Sequence, residues 1–337
     1  MKMASRSMMG AVATVLLAAG MTAAAEEPAR VSTATPFRKG DVIVASTVMN
    51  DPNDDHAGIG RLFQYDEDLN LKGEIWLQGS HHKVGGLAFG PDGKLWAMSP
   101  NDPVVMEVGR DAKQLPLRKW SDRSYSSVTF APDGTLWFGE HLQGKVTSFP
   151  QFSTKFHYLP GRDVIGDGVI EHVGADGKLL HSYKVATHGG MLGFHSVTST
   201  VLADNGTRMV YISETGNVVK QYDLKNDRQL PDLALFKDDP QVPMTIVMVK
   251  AADGNLLLST GRAVVVLDVK TGAILRNYPL EGMGWAAVAP TTDGKGMIVG
   301  NFFTGDVVKV SLADGSVLKR ANIGEKRSLS GIAQFPG

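Results

Sequence analysis

The sequence contains no cysteine. That excludes disulfides, a thiol nucleophile, c-type haem attachment and any zinc site built on thiolates. Charge of one sign is also missing: 34 Lys+Arg stand against 35 Asp+Glu, a net charge of −1, without basic runs. A nucleic-acid partner is therefore not expected, because binding one requires Lys and Arg to displace counterions. Aromatic residues make up only 7%. Beyond the first 25 residues there is no long apolar run, so no membrane insertion is expected of the processed chain.

What is abundant is glycine, 38 among 337 residues, spread over many short turns, which leans towards an all-β fold. The chain opens MKMASRSMMGAVATVLLAAGMTAAAEEP. Lys2 and Arg6 supply a positive region, residues 8–21 an apolar stretch, and Ala23-Ala24-Ala25 a small-residue cleavage site before Glu26. This predicts a signal peptide over 1–25 and a periplasmic or secreted protein. Its removal takes away two positive charges and no acids, leaving a net charge of −3. Residues 26–39 read as an N-terminal extension.

Internal repetition is the strongest signal. GGLAFGPDGKLWAM (85–98), SSVTFAPDGTLWFG (126–139), SVTSTVLADNGTRMVYIS (196–213), MTIVMVKAADGNLLLS (244–259) and GWAAVAPTTDGKGMIVG (284–300) share one pattern. Each is an apolar strand, an Asp-Gly or Asn-Gly turn and a second apolar strand, with a two-residue turn expected. Each continues into another hairpin, as in AVVVLDVKTGAILRNYPL. Four strands per unit of roughly forty residues make a propeller blade.

Five complete units are visible. Residues 41–77 supply three more strands without an innermost one, and SLSGIAQFPG (328–337) reads as a lone innermost strand. The sequence thus predicts a six-bladed β-propeller of four-stranded antiparallel blades over 40–337, its ring closed by the C-terminal strand joining the N-terminal blade. Seven blades would require splitting the long third unit, where Asp133 and Asn205 stand 72 residues apart. VIEHVGADGKLLHSYKV (169–185) reads instead as an ordinary outer hairpin, which makes 141–168 an insertion over the upper face. Insertions in repeat arrays gather on one face, often the functional one.

In a propeller, the loops from second to third strand, and from each blade to the next, share one rim. Seven of the nine histidines fall there: His56, His81, His82, His141, His157, His188 and His195. Neutral imidazole suits both metal ligation and acid–base chemistry. Aligning the ends of the second strands gives a column of Thr47, Pro100, Glu140, Glu214, Thr260 and Asn301. Glu140, Glu214 and Asn301 are hard oxygen donors expected to hold one divalent cation, with calcium or magnesium favoured. Zinc, copper or iron would draw instead on His81, His82, His141, His188 and His195. The alternative for either glutamate is pairing with Arg262, Arg123 or Arg327. Phe149, Phe152, Phe156 and Tyr158 of the insertion would form a lid or rim wall for an apolar ligand, joined by Met283, Trp285, Phe302 and Phe303.

GLAFGPDGKLW, VTFAPDGTLWFGE and YISETGNVVKQYDL resemble the superfamily of six-bladed propellers that contains gluconolactonase-like (senescence marker protein), strictosidine synthase-like and NHL-repeat proteins. The resemblance covers nearly all of the chain beyond the leader, at the level of the blade. Gluconolactonase-like members hold one divalent cation in the channel and hydrolyse lactones, so the resemblance implies that Glu140 or Glu214, with Asn301, match such ligands. The closing strand SLSGIAQF lacks the glutamate those enzymes carry near their first inner strand.

Three functions follow as expectations. The first is a metal-dependent hydrolase of a lactone or ester, with His195 or His82 as general base and Arg262 or Tyr125 orienting a small-molecule substrate. The second is a metal-assisted lyase or isomerase on a polycyclic or aromatic compound. The third is a non-enzymatic periplasmic propeller that binds a ligand or a protein. A monomer is expected in each case.

Overall fold

The Asp-Gly signals do close hairpins, through a three-residue loop where a two-residue turn was expected. In the computed structural model, Ala131 N–H donates to Thr135 O at 2.9 Å and Gly134 N–H to Ala131 O at 3.0 Å. Only the glycine enters the left-handed region, with φ +84° at Gly134. Asp133 instead uses its carboxylate to accept the Thr135 N–H at 2.9 Å. Asp92, Asp253 and Asp293 do the same two residues ahead. This is the turn-plus-bulge alternative to the two-residue hairpin.

The structure describes residues 30–145, 153–188, 195–213 and 215–337. The leader assignment therefore lies outside the described residues, as do Phe149, Phe152 and Glu214. From Val31 onward the chain forms six antiparallel sheets arranged as a propeller. Blade one is completed by the strand Gly331–Gln334, which pairs with Val42–Met49 in the register Val42↔Gln334 to Ala45↔Gly331. The ring closes as the sequence predicts.

Two blades depart from the regular four strands at their outer edge. In blade two the fourth place is held only by the bridges Val108↔Gln114 and Val105↔Arg118. In blade four the outermost strand is split into Arg228–Gln229 and Ala234–Leu235, both paired with Val218–Asp223. Pro231 lies between them, and proline has no N–H to offer a ladder.

Both faces of each sheet pack on neighbouring blades, so in blades two to six the second strands are buried end to end, as in Leu136–Glu140. The core is accordingly divided into six clusters, one at each contact between adjacent blades. Blade three continues from Leu136–Glu140 to Val169–Val173 and Leu179–Lys184. Residues 141–168 thus connect its second and third strands on the upper face, where the functional residues were expected.

Candidate functional site in the channel mouth

The oxygen-donor column is where a one-residue register matters most. Successive side chains of an extended chain leave on opposite sides. Thr47, Glu140, Thr260 and Asn301 turn away from the central channel and are all buried. Pro100 alone of the described members of that column borders the channel cavity. In blades two to six the following residue does so: Asn101, His141, Thr215, Gly261 and Phe302.

The column residues hold the upper loops in place. Thr47 Oγ1 accepts the Val84 N–H at 3.0 Å and Thr260 Oγ1 donates to Ala263 O at 3.2 Å. Asn301 Oδ1 accepts the N–H groups of Phe303 and Thr304, at 2.9 and 3.1 Å, while its Nδ2 donates to Met283 O at 3.0 Å. Glu140 is the most heavily committed. Its Oε1 accepts from Arg123 Nη1 at 2.6 Å, and its Oε2 accepts the main-chain N–H of Asp167, Gly168 and Val169 at 2.9, 2.8 and 3.1 Å. Burial pushes the Glu140 carboxyl up, while Arg123 and these N–H groups pull it back.

Arg123 completes an ionic clamp, also meeting Glu171 through Nε at 2.9 Å and Asp167 through Nη2 at 3.0 Å. Asp167 is further gripped by both terminal nitrogens of Arg162, and its pKa is held down at about 2, chiefly by Arg162. Close packing makes Gly166 obligatory here: an added Cβ would lie 2.0 Å from Leu142 O and 2.6 Å from Glu140 Oε1. Tyr125, expected to orient substrate, is buried in the same clamp. Its hydroxyl bonds Glu171 and Ser121 Oγ, and burial together with the Glu171 charge raises its pKa. Glu140 and Asn301 therefore do not fit the cation expected of them, since their oxygens already serve the fold. Among the described residues no group of three or more His, Asp or Glu gathers at metal-holding distances.

The histidines divide into three groups. His56 and His141 line the channel cavity. His82 is a buttress: its Nδ1 meets Asp102 Oδ1 at 2.7 Å and its Nε2 meets Asp54 Oδ2 at 3.0 Å. Burial pulls the His82 pKa down, but the two carboxylates outweigh it and the net shift is upward. The remainder of those expected in the site lie away from the cavity. His81 is exposed and contributes its main-chain N–H to Asp102. His195 is exposed, with Nδ1 3.3 Å from both Gln143 Nε2 and Thr187 Oγ1. The His188 ring packs against Gly216, where a side chain would collide with it, and burial lowers its pKa. Arg262 is exposed and outside the cavity wall.

The cavity itself is large, about 1660 Å³. Its upper mouth is chemically lopsided. Blades five and six supply Met244, Ile246, Met283, Phe302 and Phe303, while blades two to four supply Asn101, Ser126, His141 and Thr215. Phe156 of the insertion joins the wall, whereas Tyr158 is exposed. Ser126 points inward because the register of Tyr125–Phe130 against Leu136–Glu140 shifts between Tyr125 and Ser127. Bulges re-aim side chains in this way. Ser126 Oγ lies 2.8 Å from His141 Nδ1. Burial lowers the His141 pKa to about 3, so its ring is neutral. Asn101 Nδ2 and Thr215 Oγ1 are buried without a hydrogen-bond partner, a condition that costs free energy unless a ligand or water supplies one.

Asn101, Ser126 and Thr215 were absent from the sequence-based site. The signal that finds the first and last is the same column displaced by one residue. Nothing in the sequence marks the bulge that turns Ser126.

No protein-family model matches the chain, and no curated protein matches it in sequence. Among solved structures, it is similar to a Bacteroides caccae protein of unknown function, with a TM-score of 0.60 and 14% identity over 89% of this chain and 100% of that one. It is similar to a chain of a nidogen/laminin complex, with a TM-score of 0.56 and 13% identity over 87% and 97% of the two chains. A virginiamycin B lyase from Staphylococcus aureus aligns over 73% of this chain and 71% of its own, with a TM-score of 0.46 and 13% identity. At these identities the likeness is one of fold: a six-bladed β-propeller.

Proposed function

We propose that the protein binds a small, flat, largely apolar carbonyl compound in the upper mouth of its channel. One observation carries this reading. Three consecutive blades present hydrogen-bonding groups at equivalent positions, two of them unpartnered, across the cavity from an aromatic and methionine wall. A few placed polar groups within an apolar concavity are the usual make-up of a small-molecule site. Asn101 Nδ2 would donate to the ligand carbonyl, with the neutral His141–Ser126 pair beside it. Export through the leader of residues 1–25 belongs to the same proposal.

A second reading is hydrolysis of a lactone or ester, favoured by the Ser126–His141 contact. It ranks below binding because an imidazole with a pKa near 3 holds a proton poorly, while a general base works best with a pKa near the working pH. Calorimetric titration with coumarin tests the binding reading. Wild type should bind it, and Asn101→Leu should weaken binding roughly tenfold, the scale of one lost hydrogen bond to a buried partner. Absence of binding, or equal binding by both proteins, would remove the site as described. The hydrolytic reading requires turnover of dihydrocoumarin that disappears in Ser126→Ala.

A further inference from the structure

The first hairpins of blades two, three, five and six turn in the same way. Asp92, Asp133, Asp253 and Asp293 each precede a glycine, and each carboxylate accepts the N–H two residues ahead, at 3.1, 2.9, 3.0 and 3.0 Å. Blade four is the exception. Its dipeptide is Asn205-Gly206, and the Thr207 N–H donates instead to Asp204 O at 3.3 Å. The Asp204 carboxylate is drawn away to Arg208 Nε at 2.6 Å. Asp204, Asn205 and Gly206 are left-handed in succession, with φ of +49°, +55° and +85°. Asn205 is exposed, and among the described residues its carboxamide has no hydrogen-bond partner.

That combination matters because asparagine is a thermally labile residue. Its weak point is attack on the side-chain carbonyl by the main-chain nitrogen of the next residue. A glycine in that next position removes the side chain that would hinder the attack and leaves the backbone free to turn. Asn205 is the one asparagine of the chain that glycine follows. The attack requires Asn205 to leave its ψ of +36°. The turn allows this, since even an added Cβ at Gly206 would meet nothing within 4 Å. The carboxamides of Asn70, Asn226 and Asn255 are held by contrast, donating to Asp66, Asp223 and Asp253.

We infer that Asn205-Gly206 is a site of spontaneous covalent modification, a deamidation through a cyclic imide. The Gly206 nitrogen loses its proton and bonds to the side-chain carbonyl carbon of Asn205. The bond from that carbon to Nδ2 breaks, and ammonia leaves with the proton. Water then opens the imide at either carbonyl, giving aspartate or isoaspartate, with no oxidant or reductant consumed. The inference is independent of the ligand reading of the upper mouth. Its effect falls on the rim of the hairpin turns, where Asn205 and Asp133 both border the channel cavity. Either product adds a negative charge to the rim that already carries Asp133. Isoaspartate also inserts a methylene into the main chain of a turn whose strands are paired as far as Ala203↔Arg208.

The test follows the folded wild-type protein during incubation at mildly alkaline pH, by peptide mass mapping and by labelling with isoaspartyl methyltransferase. A gain of one mass unit and the methyl label should accumulate at residue 205, several-fold faster than at Asn226, which Asp227 follows and Asp223 holds. Asn205→Gln should lose the label at this position and leave the rest of the map unchanged. Conversion of Asn226 or another asparagine as fast as Asn205 would overturn the inference. So would an Asn205 that stays intact in the folded protein while the same chain converts in denaturant, because the turn would then protect it. Both outcomes are read on wild type, so the test does not depend on the variant folding.

Discussion

Two ionic moorings hold the 141–168 insertion, and they are built from different chemistry. Near its end, Arg123 gathers Glu140, Asp167 and Glu171, all on blade three or its own loop. In its middle, residues 153–155 are tied to the upper loop of blade one. Ser153 Oγ accepts the Asp55 N–H at 3.2 Å, Thr154 Oγ1 lies 2.6 Å from His56 Nδ1, and Asp54 Oδ2 accepts the Lys155 N–H at 3.2 Å. Asp54 in turn pairs with His82, and His82 with Asp102. The first mooring depends on a guanidinium that stays charged at any ordinary pH. The second depends on imidazoles, so the same segment is held by one anchor that ignores pH near neutrality and one that responds to it.

Removing Arg123 is the most severe way to break this contrast. Arg123→Met leaves Glu140 and Glu171 buried without their cation, and should cost roughly 3–5 kcal/mol in chemical denaturation. That loss should grow as pH rises, because without Arg123 burial pushes the Glu140 carboxyl further up and only its ionised form is left uncompensated. Asp167 and its partners lose their contribution only as pH falls through carboxylate values, since the folded pKa of Asp167 is depressed to about 2. Adding Glu140→Gln should restore part of the loss, which a double-mutant cycle would measure.

His82→Gln sharpens the comparison from the other side. The folded pKa of His82 is raised, so its stabilisation is complete below the unfolded value of about 6.5 and fades as pH climbs through the folded value. The stability gap between wild type and His82→Gln should be on the order of 1–3 kcal/mol at pH 6 and clearly smaller at pH 9. Asp102 sets the acid limit. Burial pushes its pKa up, but His82 and the neighbouring N–H groups bring it below the usual value. Its share is therefore lost as pH falls through that depressed value. A gap independent of pH would mean that the bridge works by packing alone. The smallest effect belongs to the exposed pair of Lys155 Nζ with Asp51 Oδ2 at 3.2 Å. Lys155→Ala should leave the denaturation midpoint essentially unchanged, because solvent screens such pairs.

These moorings also show what the sequence could and could not disclose. The hairpin repeat and the lone IAQF strand identify the ring and its closure, because turn chemistry and strand pattern are local. That an arginine waits for Glu140 is visible as a possibility, since Arg123 lies on the same rim. That three main-chain N–H groups also converge on it depends on how residues 167–169 return to the blade. The histidine half-ring was half informative. His56 and His141 reach the cavity, whereas His82 is consumed between two aspartates that are far apart in sequence. The channel-facing column was missed by a single position, and alternation turns such a slip into the wrong side: of the described residues so chosen, all but Pro100 face away from the channel.

The closing strand has a consequence for how the molecule comes into being. Gln334 Nε2 reaches the carbonyl of Gly40, 294 positions earlier. A chain growing from its N-terminus therefore carries blade one with its inner edge open while five further blades are made. Contacts this remote in sequence slow folding, because the long loop must be closed before they return anything. During that interval Val42–Met49 is an unpaired strand edge, a template for the wrong neighbour. The part of the propeller synthesised first is the part that waits longest for its partner, and for that time it depends on whatever keeps foreign strands away.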